Sequence, residues 1–162
     1  AYSIILNKYR DNSIRLRIIG KGQESYNIKA LCKKLNIYNE IDFIDYVPYD
    51  ELVKYINDSN INLGIFGGGV KSNMVIPNKV YEAIACGKVV VTANTDAIKE
   101  IVLDNENAIL VKSGDSEALA KVIVDLKNNK NTIDRIEKNV IKLRYTISPK
   151  VIVYDLINKL QS

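Results

Sequence analysis

The feature that most constrains this chain is an alternation of short apolar runs with longer segments of helical period. Arg15-Leu16-Arg17-Ile18-Ile19, Ile41 to Ile44, Ile61 to Phe66, Val89-Val90-Val91-Thr92 and Ala108 to Val111 read as strands. The fourth run is continuously apolar, as in a parallel strand buried on both faces. Between them lie helical stripes: Ile28, Leu31, Cys32 and Leu35; Leu52, Val53 and Ile56 after the acidic first turn Asp50-Glu51; and a helix from Pro77 to about Cys86, closed by Gly87. A short helix is expected around Ala97 to Val102. Two further stripes follow, Leu119, Val122, Ile123 and Leu126, then Ile133, Ile136, Val140 and Leu143. After Ser148-Pro149, a last helix is expected to turn Val153, Leu156, Ile157 and Leu160 inward. Strands alternating with helices predict an α/β domain: a doubly wound parallel sheet between helical layers, three-layer αβα. Such domains usually open on a strand. This chain opens on a helix, with Tyr2, Ile5, Leu6 and Tyr9 on one face. The expectation is that a first strand lies upstream of Ala1.

The length of 162 residues suits one domain with its own core. Histidine is absent. That excludes Ser-His-Asp and Cys-His nucleophile systems and His-ligated zinc within these residues. Chemistry here must use carboxylates, lysines, backbone dipoles or another piece of protein. The net charge of +4 is spread along the chain and forms no basic stripe, so no nucleic-acid partner is expected. Cys32 and Cys86 lack metal-type spacing and read as reduced thiols of a cytoplasmic protein. No apolar run approaches the ~18 residues of a membrane span, and no signal-peptide pattern opens the sequence.

Ligands of open α/β sheets bind beyond the carboxyl ends of the strands, and glycines mark those ends. Gly20 and Gly22 follow the first run; Gly67, Gly68 and Gly69 follow the third and open a loop running to Ser72 and Asn73. The Gly20 turn is no dinucleotide fingerprint, because Ser25 stands where the third glycine belongs. Gly87-Lys88 is followed by Val89 and is no Walker A motif. A helix beginning at Pro77 leaves the N–H groups of Asn78, Lys79 and Val80 free for a phosphate. Lys79 adds a charge there, and Glu82, three residues on, could accept from two vicinal ribose hydroxyls. The alternative is a surface Lys79–Glu82 ion pair worth a few tenths of a kcal/mol.

Pro77-x-Lys79-x-x-Glu82-Ala83-x-Ala85-Cys86-Gly87-Lys88-Val89-Val90 resembles the donor-site motif of the group 1 glycosyltransferases, glycosyltransferase family 4. The resemblance extends over nearly the whole chain. It takes in Ile18 to Gly22, Ile41 to Leu52, Glu100-Ile101, Asn107 to Val111, and Asp115, Glu117, Leu119 and Ala120. It implies the C-terminal, Rossmann-like half of a GT-B fold, with a separate N-terminal acceptor domain that supplies the catalytic residues. None would then lie in this fragment, which alone would be inactive. By the same resemblance, Glu82 holds the donor ribose, Asn78, Lys79 and Val80 meet the diphosphate, and Gly67 to Asn73 face the sugar. Tyr46 and Val47 approach the base, and Gly20 and Gly22 form the family's first glycine turn.

Two positions depart from the family. Met74 stands where many members carry a second glutamate, and Asp45 where a glycine is usual. The implied activity is retaining transfer from a nucleotide-diphosphate sugar, a UDP-sugar favoured, to a glycan or lipid-linked acceptor in bacterial surface polysaccharide synthesis. No Asp-x-Asp motif occurs, so neither metal nor other cofactor is expected. The setting implied is cytoplasmic, with the acceptor domain touching the inner face of the membrane. The rival readings are a sugar-nucleotide epimerase of the same fold and a non-catalytic flavodoxin-like regulatory domain.

Overall fold

The computed structural model describes residues 1–161, with the side chains of residues 149, 152, 155, 156, 159 and 161 outside that description. The strands are β1 (Leu16–Ile19), β2 (Ile41–Ile44), β3 (Asn62–Leu63), β4 (Val90–Ala93) and β5 (Ile109–Val111). The helices are α1 (Tyr2–Asn7), α2 (Ser25–Lys34), α3 (Tyr49–Asp58), α4 (Val70–Asn73), α5 (Asn78–Ala85), α6 (Asp96–Lys99), α7 (Ser116–Asn128), α8 (Lys130–Thr146) and α9 (Pro149–Gln161). Every strand pair is parallel, as the alternation required. The described strands fall into two sheets, β1-β2 and β3-β4-β5.

β4 is buried at every position, and Val89 before it has no exposed surface. Both of its edges are paired: Asn62 and Leu63 lie opposite Val90 and Val91, and Val91, Thr92 and Ala93 lie opposite Ile109, Leu110 and Val111. A run without charges suits this place because each charge there would need a buried partner. The larger core packs on this sheet, with Ile84, Val89, Val91, Ile98, Val102, Ile136 and Val140 at its centre. A smaller core of Cys32, Ile37 and Ile41 lies under β1 and β2. Side chains alternate across β1. Leu16 and Ile18 join the small core with Tyr2 and Leu6 of α1, whereas the Arg17 guanidinium carbon sits 5.0 Å from the ring centre of Tyr55 in α3. Thus α1 and α3 lie on opposite faces of β1.

The third strand is shorter than the run Ile61 to Phe66. Past Leu63 the chain presses onto β4: a Cβ on Gly64 would collide with the side chain of Thr92, whose hydroxyl donates to the Ile65 carbonyl at 3.3 Å. Two expected stripes are corrected. In α2 only Cys32 is buried, and Ile28, Leu31 and Leu35 are exposed, because the short β1-β2 sheet offers the helix a narrow surface. In α9, Val153, Ile157 and Leu160 are also exposed, the helix packing on α8. Leu156 lies outside the described side chains. Segment 67–73, read as a loop, contains the single turn α4. Among the described residues no helix is long and apolar enough to cross a membrane.

Polar ties fasten α1 and its loop to α7. Lys8 Nζ bonds Glu117 at 2.7 Å, and Lys127 Nζ bonds Asp11 at 2.7 Å. The Lys127 bond, then those from the Ser13 side chain and backbone, holds the Asp11 carboxyl down to about 2 from its ordinary 3.8. A depressed carboxyl contributes stability above its unfolded pKa and loses it as pH falls through the folded one. Asp11→Asn should therefore lower the melting temperature at pH 7, and the gap to the parent should close between pH 4 and pH 2, as thermal scans across that range would register. Gly64→Ala should cost about 1–3 kcal/mol by overpacking against Thr92, read as a shifted urea midpoint.

Candidate functional site

The carboxyl end of β3 leads into Gly67-Gly68-Gly69 and α4. Ser72 Oγ lies 2.7 Å from both the Gly67 and the Gly69 carbonyl oxygens and donates into that pair, so this side chain shapes the loop itself. The Asn73 N–H donates to the Gly69 carbonyl at 3.2 Å. The β5–α7 loop lies alongside: Gly114 N–H donates to the Phe66 carbonyl at 3.0 Å, and a Cβ on Gly68 would stand 4.0 Å from that of Ser113.

Next along the chain, α5 starts from Pro77 as its N-cap, with φ −73° and ψ 145°. Proline thus stands one position earlier than expected, just outside the helix. The Val80 amide is not free, correcting its expected role as a phosphate donor. It donates to the Pro77 carbonyl at 2.9 Å, closing a tight first turn, and the Val80 side chain is buried in the core. Asn78 and Lys79 keep amides without a partner among the described residues, and both side chains are exposed. Burial of Val80, Ala83 and Ile84 fixes the roll of α5.

Glu82 is half-buried, and neither it nor Lys79 makes an ion pair or side-chain hydrogen bond among the described residues. The surface Lys79–Glu82 pair entertained from spacing alone does not form. What stands at the helix start is two free N–H donors, an ammonium and a carboxylate held within one turn. This arrangement can take an anion at the helix end and a pair of hydroxyls one turn on. The Cys86 thiol is pushed up, first by burial and then by the Glu82 carboxylate, so it is no ready nucleophile.

The far end of α5 is anchored. Gly87 takes φ +71°, and the Lys88 N–H donates to the Ala83 carbonyl at 3.0 Å. Lys88 Nζ meets Glu137 of α8 at 3.2 Å, with both side chains mostly covered.

The other expected residues lie at the end of the β1-β2 sheet. Gly20 has φ +120°, a conformation that favours glycine, and donates to the Ile44 carbonyl at 2.9 Å. Gly22 N–H donates to Ser25 Oγ at 2.8 Å. A small cleft of about 40 Å³ there is lined by Gly20, Ser25, Lys29 and Asp45 over Ile18, Ile28 and Phe43. Asp45 pairs with Lys29 at 3.3 Å and Lys21 at 3.9 Å. Tyr46 is 79% exposed and Val47 half-buried. Gly67, Gly68, Gly69, Ser72 and Asn73 follow β3, and Asn78, Lys79 and Glu82 come next along the chain at the start of α5. Gly20, Gly22, Tyr46 and Val47 stand at the other sheet, with no hydrogen bond or ion pair joining the two groups among the described residues.

Ser113 and Gly114 were not singled out from sequence. No glycine cluster or charged motif marks them, and only the rule that sites lie at strand ends points to the loop after β5. Among the described residues no three Cys, Asp or Glu side chains converge as metal ligands. Ser72→Ala should cost about 0.5–1.5 kcal/mol and speed amide exchange at Asn73, with α5 amides unchanged, as site-resolved hydrogen exchange would report.

Comparison with known proteins supplies the context. The family model described as glycosyl transferases group 1 matches residues 1–143. An uncharacterized glycosyltransferase of Methanocaldococcus jannaschii is 27% identical over 128 residues, 78% of this chain and 31% of that protein. The amylovoran biosynthesis glycosyltransferase AmsK of Erwinia amylovora is 24% identical over 74% of this chain and 30% of that protein. The chain spans about a third of the length of the curated relatives it matches. The C-terminal domain of LpcC, a glycosyl transferase group 1 family protein of Francisella tularensis, is similar with TM-score 0.68 and 23% identity, over 90% of this chain and 74% of that one. S. aureus TarM, solved with fondaparinux, alpha-GlcNAc-glycerol and UDP, is similar with TM-score 0.80 and 16% identity, over 99% and 31%. At these identities the solved structures speak to the fold.

Proposed function

Because the chain belongs to the glycosyl transferases group 1 family, we propose that it is the donor-binding half of a retaining glycosyltransferase acting on a nucleotide-diphosphate sugar, a UDP-sugar favoured. The observation that carries this reading is the start of α5, where the unpaired amides of Asn78 and Lys79, the Lys79 ammonium and the unpaired Glu82 carboxylate share one helical turn. The amides and Lys79 take the diphosphate, and Glu82 takes the ribose hydroxyls. Support for the base comes from S. aureus TarM, solved with UDP, and from Anabaena HepE, solved with UDP-glucose. Support for a polysaccharide product comes from the amylovoran enzyme.

In the proposed reaction the bond between the anomeric carbon and the diphosphate oxygen breaks, with its electron pair leaving on the diphosphate. The acceptor hydroxyl forms the new glycosidic bond. Lys79 and the helix start stabilise the charge that gathers on the leaving group. The acceptor, and the groups that move its proton, belong to an N-terminal domain of the whole protein, whose setting is the cytoplasmic side of a membrane.

The test is calorimetric titration of the full-length protein with UDP, GDP and ADP, in the parent and Glu82→Ala forms. The expected result is binding of at least one nucleotide, UDP favoured, weakened about tenfold or more by the substitution. Absence of binding by any of the three overturns the transferase reading. Equal affinity of both forms removes Glu82 from the ribose. Free epimerised sugar as the sole product, without a glycosidic bond, makes the protein an epimerase instead.

A further inference from the structure

The segment between the glycine loop and α5 is exposed and apolar. Val70 opens α4 and is 78% exposed; Met74, the C-cap of that turn, is 73% exposed, and Val75 beyond it is exposed as well. Val70 and Met74 stand four residues apart across the single turn, so they share one side of it. A lone apolar side chain at a surface is ordinary, but three close together in sequence, just ahead of a helix start with free amides, form a patch. Ile76 follows and packs against the larger core. Polar groups here are few. From Ser59 to Tyr81 the sequence has no Asp or Glu. The Ser72 hydroxyl is committed to the Gly67 and Gly69 carbonyls. Lys71 and Asn73 remain as exposed polar side chains.

A nucleotide-diphosphate sugar is linear in the order ribose, two phosphates, sugar. With the ribose on Glu82 and the diphosphate on the Asn78 and Lys79 amides one turn away, the sugar projects past the helix start, on the side away from Glu82. The residues ahead of that start are those of the patch. Asn73 and Asn78 are close enough in sequence that their separation cannot exceed about 18 Å. A hexose hydroxyl that meets this segment finds no carboxylate to accept from it, and pressing it onto Val70 or Met74 strips its water without replacement. A methyl group in the same place buries apolar surface on both sides of the contact.

We propose that the sugar of the donor carries a methyl-bearing substituent, either an acetamido group or the methyl of a 6-deoxyhexose, and that Val70, Met74 and Val75 receive it. This rests on the donor-binding reading of α5 and names the class of sugar that reading leaves open. The exposed Lys71 and Asn73 are left for the hydroxyls of the ring. Met74 is the position that sets the class, because a carboxylate there would take a pair of hydroxyls instead.

The test is calorimetric titration of the full-length protein with the glucose, N-acetylglucosamine and 6-deoxyglucose conjugates of whichever of UDP, GDP and ADP binds. At least one methyl-bearing sugar should bind about tenfold more tightly than glucose. Met74→Glu should turn the preference toward glucose. Val70→Ala combined with Met74→Ala should bring the three conjugates within about twofold of one another, with the bare nucleotide still bound. Both side chains are exposed, so the variants should melt with the parent, which thermal scans would report. Glucose binding as tightly as both methyl-bearing sugars overturns the proposal. So does a preference that survives the double alanine variant. Nucleotide binding without that preference sinks this inference and leaves the transferase reading standing, whereas binding of no nucleotide sinks both, so the two failures are distinguishable.

Discussion

A strand buried on both faces and paired on both edges tolerates neither a charge nor a bulge, and β4 occupies that position. Its neighbours are shaped to it. Gly64 is bare so that the chain can close on Thr92, and pairing with β4 runs on to Ile65, whose carbonyl accepts from the Ala93 N–H at 3.0 Å, before the glycine loop begins. The same strand sets the register of β5, whose following loop leans on Phe66 and Gly68. α5 enters this strand through Gly87 and Lys88, so the helix start that bears Lys79 and Glu82 is held from its far end by the core.

The candidate site draws its chemistry from what α5 leaves unpaired. Half-buried carboxylates usually find a partner, and Glu82 has none among the described residues. Two neighbouring amides are likewise free, while the third is drawn back onto Pro77. Where pairing is available the fold uses it: Lys88 takes Glu137, Lys127 takes Asp11, and Asp45 takes Lys29. Among the described half-buried carboxylates, Asp11 and Glu137 take lysines and Asp115 caps α7, so Glu82 without a partner is the candidate for a ligand contact.

Much of this was legible from residue order. The apolar run at Val89 to Thr92 reads as a buried parallel strand and is one, and Pro77 to Gly87 delimit α5 to within a residue. Stripes whose partner surface is small are not legible in this way. The spacing of Ile28, Leu31 and Leu35 is helical, but periodicity cannot tell how much sheet lies beneath a helix, and here there are two short strands. Val153, Ile157 and Leu160 are the same case on α9. The pairing of the Val80 amide is not legible in the sequence, because a tight first turn is decided by backbone angles at Pro77 and not by side-chain type.

By itself the sequence determined the class of fold, the place of the glycine loop and the motif from Pro77 to Val90, because each depends on local pattern: period, turn chemistry and helix ends. Absence of histidine likewise excluded Ser-His-Asp and Cys-His nucleophile systems and His-ligated zinc within these residues. Only the tertiary structure decided that Lys79 and Glu82 do not neutralise each other, that Ser72 serves its own loop, and that the sheet divides between β1 and β3. Those outcomes depend on which side chains and strand edges meet across long sequence separations, and no local pattern records that.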